Sequence, residues 1–179
     1  MNRLSTSLRS DLVIVAGLVA LGVAARLLPH EPNFTPIAAS TLFAATVLRT
    51  RVLAFVVPVL ALFISDIFLA SEMTSVRSVV YAMFILPAFV AFMPDRVRAP
   101  GMFVPAIIAY SLLFFIITNL AVWGFSGMYP LTPAGLAACY AAALPFLPQT
   151  VIGDLFWAAV LFGGAALLQL APRLARRSA

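Results

Sequence analysis

The chain has 179 residues, 64% of them hydrophobic and only 9% charged, with a mean hydropathy of +1.10. A soluble domain carries about a quarter charged residues, so a mostly water-facing surface is excluded and the medium around most of the chain must be lipid. All 11 basic residues are arginines and the net charge is +5; they stand singly or in pairs between apolar runs, a distribution that argues against a nucleic-acid-binding face.

The basic start MNRLSTSLRSD leads into a first apolar segment, 11–28. That run ends in RLLPHEP without a small-residue cleavage site, and further apolar segments follow, so a retained membrane helix is expected rather than a removed signal peptide. LPHEPNFTPI (28–37) then forms a proline-shaped turn. The second segment, 34–48, is about 22 Å long and thin for a crossing, a gap that flanking residues or local bilayer thinning would close. The third is 52–70, with Pro58 inside; the fourth is 76–93, ended by Pro94; the fifth is 102–123; the sixth is 149–170. Between the last two, GFSGMYPLTPAGLAACYAAALPFLP holds a short helix over 133–144, begun by Pro133 and ended by Pro145. It is too short to span and is expected at the interface or as a re-entrant cap.

The fold class expected is therefore an all-α integral membrane protein, one transmembrane domain over 1–179, built as a six-helix bundle with a short extra interfacial helix. With both termini in the cytoplasm, Arg3, Arg9, Arg49, Arg51, Arg96, Arg98, Arg173, Arg176 and Arg177 fall inside and only Arg26 and Arg77 outside. Nine against two is the bias that sets orientation in membrane proteins, and it repeats at every inner connection. A bacterial cytoplasmic (inner) membrane location follows from that reading.

Given this topology, the polar residues within the segments collect in the outer third. Arg26, Asp66, Asn119 and Asp154 come from four different helices, while the inner two-thirds hold almost no ionisable group. Charge in hydrocarbon must face a partner, a water-filled cavity or the bundle interior. Two readings stand side by side. In one, Asp66, Asn119, Asp154 and Arg26 contact a polar ligand in an outward cavity, with Asn33 at its edge. In the other, Arg26 pairs with Asp66 or Asp154 and locks helices together, or snorkels to the interface. Trp123 and Tyr129 lie in the Gly- and Pro-rich connection and either anchor at the interface or stack on a planar ligand.

No catalytic constellation, HExxH or P-loop pattern occurs, so an enzyme is not expected. One cysteine, Cys139, excludes an intrachain disulfide and reads as a small packing residue. His30 beside Glu31 falls short of a zinc site, so neither a metal nor a cofactor is expected. Ala16, Ala20 and Ala24 form a small-residue stripe on the first helix, which permits close helix approach within the bundle or against a partner subunit.

The runs RLLPHEPNFTPIAA (26–39), ISDIFLA (64–70), TNLAVWGFSGMYPLTPAGLAACYAAALPF (118–146) and GDLFWAAVLFG (153–163) resemble a family of small bacterial membrane proteins of unknown function. A more distant resemblance, in architecture alone, is to the substrate-binding (S) components of energy-coupling-factor vitamin transporters. It implies six helices, a small vitamin-like micronutrient bound near the outer face, and a transmembrane coupling subunit with ATPases meeting the first helix at Ala16, Ala20 and Ala24. The alternative expectation is a structural or assembly subunit of a larger membrane complex.

Overall fold

The computed structural model describes residues 2–29, 31–70, 74–94 and 102–175. Within them the chain is all helical: α1 (Asn2–Leu27), α2 (Ile37–Val47), α3 (Leu53–Phe68), α4 (Ser75–Ile85), α5 (Phe103–Phe125), α6 (Pro133–Ala143) and α7 (Leu147–Ala175). Four described stretches are long and apolar enough to cross a membrane: Leu8–Leu27, Ser75–Phe92, Phe103–Phe125 and Pro133–Leu168. By length and composition these four stretches fit a membrane protein, whereas α2 and α3 are shorter apolar helices. His30, Arg96, Arg98, Arg176 and Arg177 lie outside the described residues.

Asp11 accepts from Thr50 N, Arg26 donates to Ser65 Oγ, and a Cβ on Gly22 would meet that of Ala61. All three pairs are separated by 39 residues, so α1 and α3 run parallel in fixed register. They can do so only because α2 returns the chain between them, and it does so in 11 residues, about 16 Å. The expected second segment began at residue 34, but residues 31–36 are not helical: 31–33 are exposed, and the chain becomes buried from Phe34 towards Pro36. Asn33 takes a left-handed φ of 61°, Phe34 N bonds back to Glu31 O, and Pro36 is fully buried at the helix start.

That short helix is the centre of the fold. Ile37 to Leu42, Ala44 and Ala45 are all buried, and α2 packs against α1, α3, α4, the turn after α4 and α7. Small residues let the elements close in on one another: Ala44 of α2, Ala54 of α3 and Ala88 of the turn after α4 are without solvent exposure. Thr41 and Ser65 return their hydroxyls to carbonyls four residues earlier (Thr41 to Ile37 O, 2.8 Å; Ser65 to Ala61 O, 2.6 Å), which satisfies each hydroxyl hydrogen within its own helix.

Past Ile85, α4 tightens into a 3₁₀ stretch, Leu86–Phe92. Pro87 has no N–H to give to Met83 O, and the Tyr110 hydroxyl from α5 donates to that carbonyl instead, at 3.2 Å. Helix α5 then runs the full 23 residues back.

The 133–144 helix departs from expectation. It is no isolated interfacial element: α6 continues through a 3₁₀ turn, Leu144–Phe146, directly into α7, which begins at Leu147 rather than near Gln149. Helix α6 runs antiparallel beside the last half of α5, with Tyr140 Oη donating to Ile116 O at 2.7 Å and Cys139 Sγ 3.5 Å from Asn119 O. Lower down, Ser111 meets Asp154. Eight residues of α5 separate those two levels, about 12 Å, against fifteen residues on the other side, about 22 Å if straight. Pro145 and Pro148 take up the mismatch as a bend.

Candidate functional site

Three acids are buried among the described residues, and each is satisfied differently. Asp11, outside the sequence-based expectations, accepts from Thr50 N at 2.8 Å and Arg49 N at 3.4 Å, so it caps the α2–α3 turn from α1. No local signal marks it; the turn it caps lies 39 residues away.

Asp66 ends α3 between two arginines. Its Oδ1 lies 2.7 Å from Arg26 Nη2, a close ion contact short of hydrogen-bond alignment. Its Oδ2 lies 3.0 Å from Arg77 Nη1 and accepts from Tyr81 Oη at 2.8 Å. Arg26 Nη1 adds donors to Ser65 Oγ (2.6 Å) and Leu62 O (3.3 Å). The helix-locking alternative therefore describes Asp66: α1, α3 and α4 are tied at one end. Arg77 and Tyr81 are its unforeseen partners; Asp66 at position 66 and the pair four residues apart on α4 are the signal that was available. Among the described residues, two arginines against one carboxylate leave one positive charge in surplus.

Asp154 is different. It is 5% exposed, and its one hydrogen bond is from Ser111 Oγ at 2.7 Å. The same hydroxyl also lies 3.0 Å from Ile107 O, its other available acceptor. No arginine among the described residues reaches Asp154; the two described ion pairs both belong to Asp66.

A cavity of about 390 Å³ opens beside Asp154 at the end of the bundle where Arg26 sits. Among its lining residues are Arg26 from α1, Asn33 from the segment before α2, Asn119 from α5 and Asp154 from α7. These four of the expected site residues come together. Asp66 does not line the cavity and acts on it only through Arg26. Trp123 and Tyr129 do not line it either: Trp123 Nε1 donates to Pro130 O at 3.0 Å and fastens the loop after α5, in which Tyr129 lies half-buried. Phe34 turns to Phe156 and Trp157, with ring centroids 5.4 and 6.4 Å away. Gly153 permits that approach, since a Cβ there would come within 3.1 Å of Phe34 Cα.

The rest of the wall is aromatic and hydroxylic, chiefly Phe84, Tyr110, Phe114, Phe115, Thr118 and Thr150. Phe115, Thr118 and Val122 of this wall recur at helical spacing on α5 with Ser111 one turn before them, a stripe that was legible and not singled out. Asn119 spends one amide hydrogen on Phe115 O at 2.8 Å, leaving the remainder of its amide for the cavity. A second cavity of about 300 Å³, almost wholly apolar, lies between α2, the 86–92 turn and α5; Tyr110 and Asp154 line both. Among the described residues no group of three or more His, Cys, Asp or Glu side chains is gathered to hold a metal.

The profile of a family of unknown function (DUF6580) matches residues 6–175. The chain belongs to this family. The match takes in all but the first residues of α1, every later helix, and Arg26, Asn33, Asn119 and Asp154. No curated protein and no solved structure matches the chain, so a likeness to vitamin-transporter S components is not shown.

Ala16, Ala20 and Ala24 are exposed, while Val15, Leu18, Val19 and Gly22 face the bundle. The small-residue stripe is thus not used for packing within the chain.

Proposed function

We propose that this protein binds a small polar, vitamin-like micronutrient at an outward-facing site, as a step in its uptake across a bacterial inner membrane with both termini cytoplasmic. The observation that carries the reading is the 390 Å³ cavity in which Arg26, Asn33, Asn119 and Asp154 converge from four separate segments. Its volume lies within the range of small-molecule sites, and an ionisable residue deep in a membrane helix marks a functional site by default. In this reading Arg26, Asn119 and Asp154 orient the ligand, Asn33 closes its edge, and Asp66 positions Arg26. No covalent chemistry is assigned: the site is for binding, not catalysis.

Uptake in the manner of an energy-coupling-factor S component would require a transmembrane coupling subunit with ATPases. The exposed Ala16, Ala20 and Ala24 stripe supports a partner on that face of α1. The same stripe also favours the second reading, an assembly subunit of a larger membrane complex.

Native mass spectrometry after gentle extraction separates the two. The binding reading expects a retained small molecule in the wild-type protein that is lost from Val122→Trp, which fills the cavity. An empty cavity together with stable large partners would overturn it in favour of the assembly subunit.

A further inference from the structure

We propose that the ligand carries a positively charged nitrogen, which Asp154 receives against the aromatic wall of α5; this rests on the binding reading above and narrows it to a chemical class. The other buried acids among the described residues are accounted for. Asp11 takes two backbone N–H groups, and Asp66 takes two arginines and a tyrosine hydroxyl. Asp154 has a single neutral hydroxyl, itself shared with Ile107 O, although it is as deeply buried as they are. A buried carboxylate without a cation is unfavourable, and a charge-assisted bond removes that penalty. Arg26 does not supply the cation: its guanidinium is occupied by Ser65, Leu62 O and Asp66.

The walls around Asp154 fit the same class. Tyr110 precedes Ser111, the residue that bonds Asp154, and Phe114 follows it by one turn. Tyr110 and Phe114 have ring centroids 6.1 Å apart, and Phe84 lies 5.1 Å from Phe114, so three rings form a continuous surface in the cavity. Rings flanking a carboxylate attract an ammonium group through their negative faces. A ligand that is purely anionic would meet Asp154 as a like charge. A second, anionic group on a cationic ligand has a place near Arg26, which lines the same cavity and shares Asp66 with Arg77, so that among the described residues two arginines face one carboxylate there.

The test uses the full-length protein in detergent and two matched probe pairs: choline with 3,3-dimethylbutan-1-ol, and 2-phenylethylammonium with 2-phenylethanol. An anion, 3-phenylpropionate, completes the set. Affinities are read by tryptophan fluorescence and by thermal shift. At least one cation should bind tenfold or more tightly than its neutral partner. Asp154→Asn, which keeps the side-chain shape, should erase that ratio, and Phe114→Leu should reduce it severalfold without abolishing neutral binding. Neutral probes that bind as tightly as the cations, and are blocked by Val122→Trp, would overturn the cation while leaving the binding site intact. Preference for the anion would do the same. Should none of the five probes bind, both the cation and the binding reading fall.

Discussion

Asp66 and Asp154 lie in the same membrane-grade setting, each contributed by an apolar helix and each nearly buried, yet the fold treats them in opposite ways. Asp66 is surrounded by Arg26, Arg77 and Tyr81, and it ties α1, α3 and α4 into one body. Asp154 faces a cavity with one hydroxyl for company. Position within a membrane helix does not by itself distinguish a structural charge from a functional one. The number of committed partners does.

Four substitutions would break or sharpen that contrast. The largest effect is expected from Asp66→Ala, which leaves Arg26 and Arg77 without their counter-charge. Removing one partner of a buried pair costs about 3 kcal/mol or more, so the melting temperature of the purified protein should fall steeply. An unchanged melt would mean that solvent or headgroups already satisfy both arginines. Next comes Gly22→Val. Even a Cβ at this position would stand 2.9 Å from Ala61 Cβ, and neither backbone-borne carbon can move aside. Overpacking of this kind costs about 1–3 kcal/mol; cross-linking of cysteine pairs between α1 and α3 should show the parallel register loosened.

Asp11→Ala removes the acceptor for Arg49 N and Thr50 N. A lost cap of that type costs about 1 kcal/mol, and protease sensitivity of the 48–52 turn should rise ahead of any global melt. The smallest effect on stability belongs to Asp154→Asn. The amide keeps an oxygen for Ser111 and removes a buried acid that no cation among the described residues balances, so the melt should stay level or rise slightly. A fall comparable to that of Asp66→Ala would show that Asp154 is structural after all, and would remove the basis for treating the two acids differently.

Much of the helical plan could be read in advance because lipid imposes a long apolar period on any helix that crosses it. The expected 102–123 and 76–93 segments correspond closely to Phe103–Phe125 and to Ser75–Ile85 with its 3₁₀ extension. The second segment was overestimated because Phe34, Thr35 and Pro36 carry the hydropathy of a helix start while Asn33 in the left-handed region turns the chain inward. The 133–144 helix was read as separate because Pro145 looks like a terminator, whereas a 3₁₀ turn carries the chain past it. Of the expected ligand contacts, Arg26, Asn33, Asn119 and Asp154 line one cavity, while Trp123 is taken up by the Pro130 carbonyl. Hydropathy cannot distinguish these cases, because a polar group in an apolar run has the same composition whether its partner is a neighbour or a ligand.

By itself, the sequence determined that the chain is an all-helical membrane protein and that its few polar residues cluster towards one end, because the cost of polar groups in hydrocarbon acts on every residue regardless of what it later touches. Only the tertiary structure decided which acid is neutralised and which is left open. That choice rests on pairings such as Arg26 with Asp66 and Ser111 with Asp154, 40 and 43 residues apart, which exist only once α1 lies parallel to α3 and α7 returns beside α5.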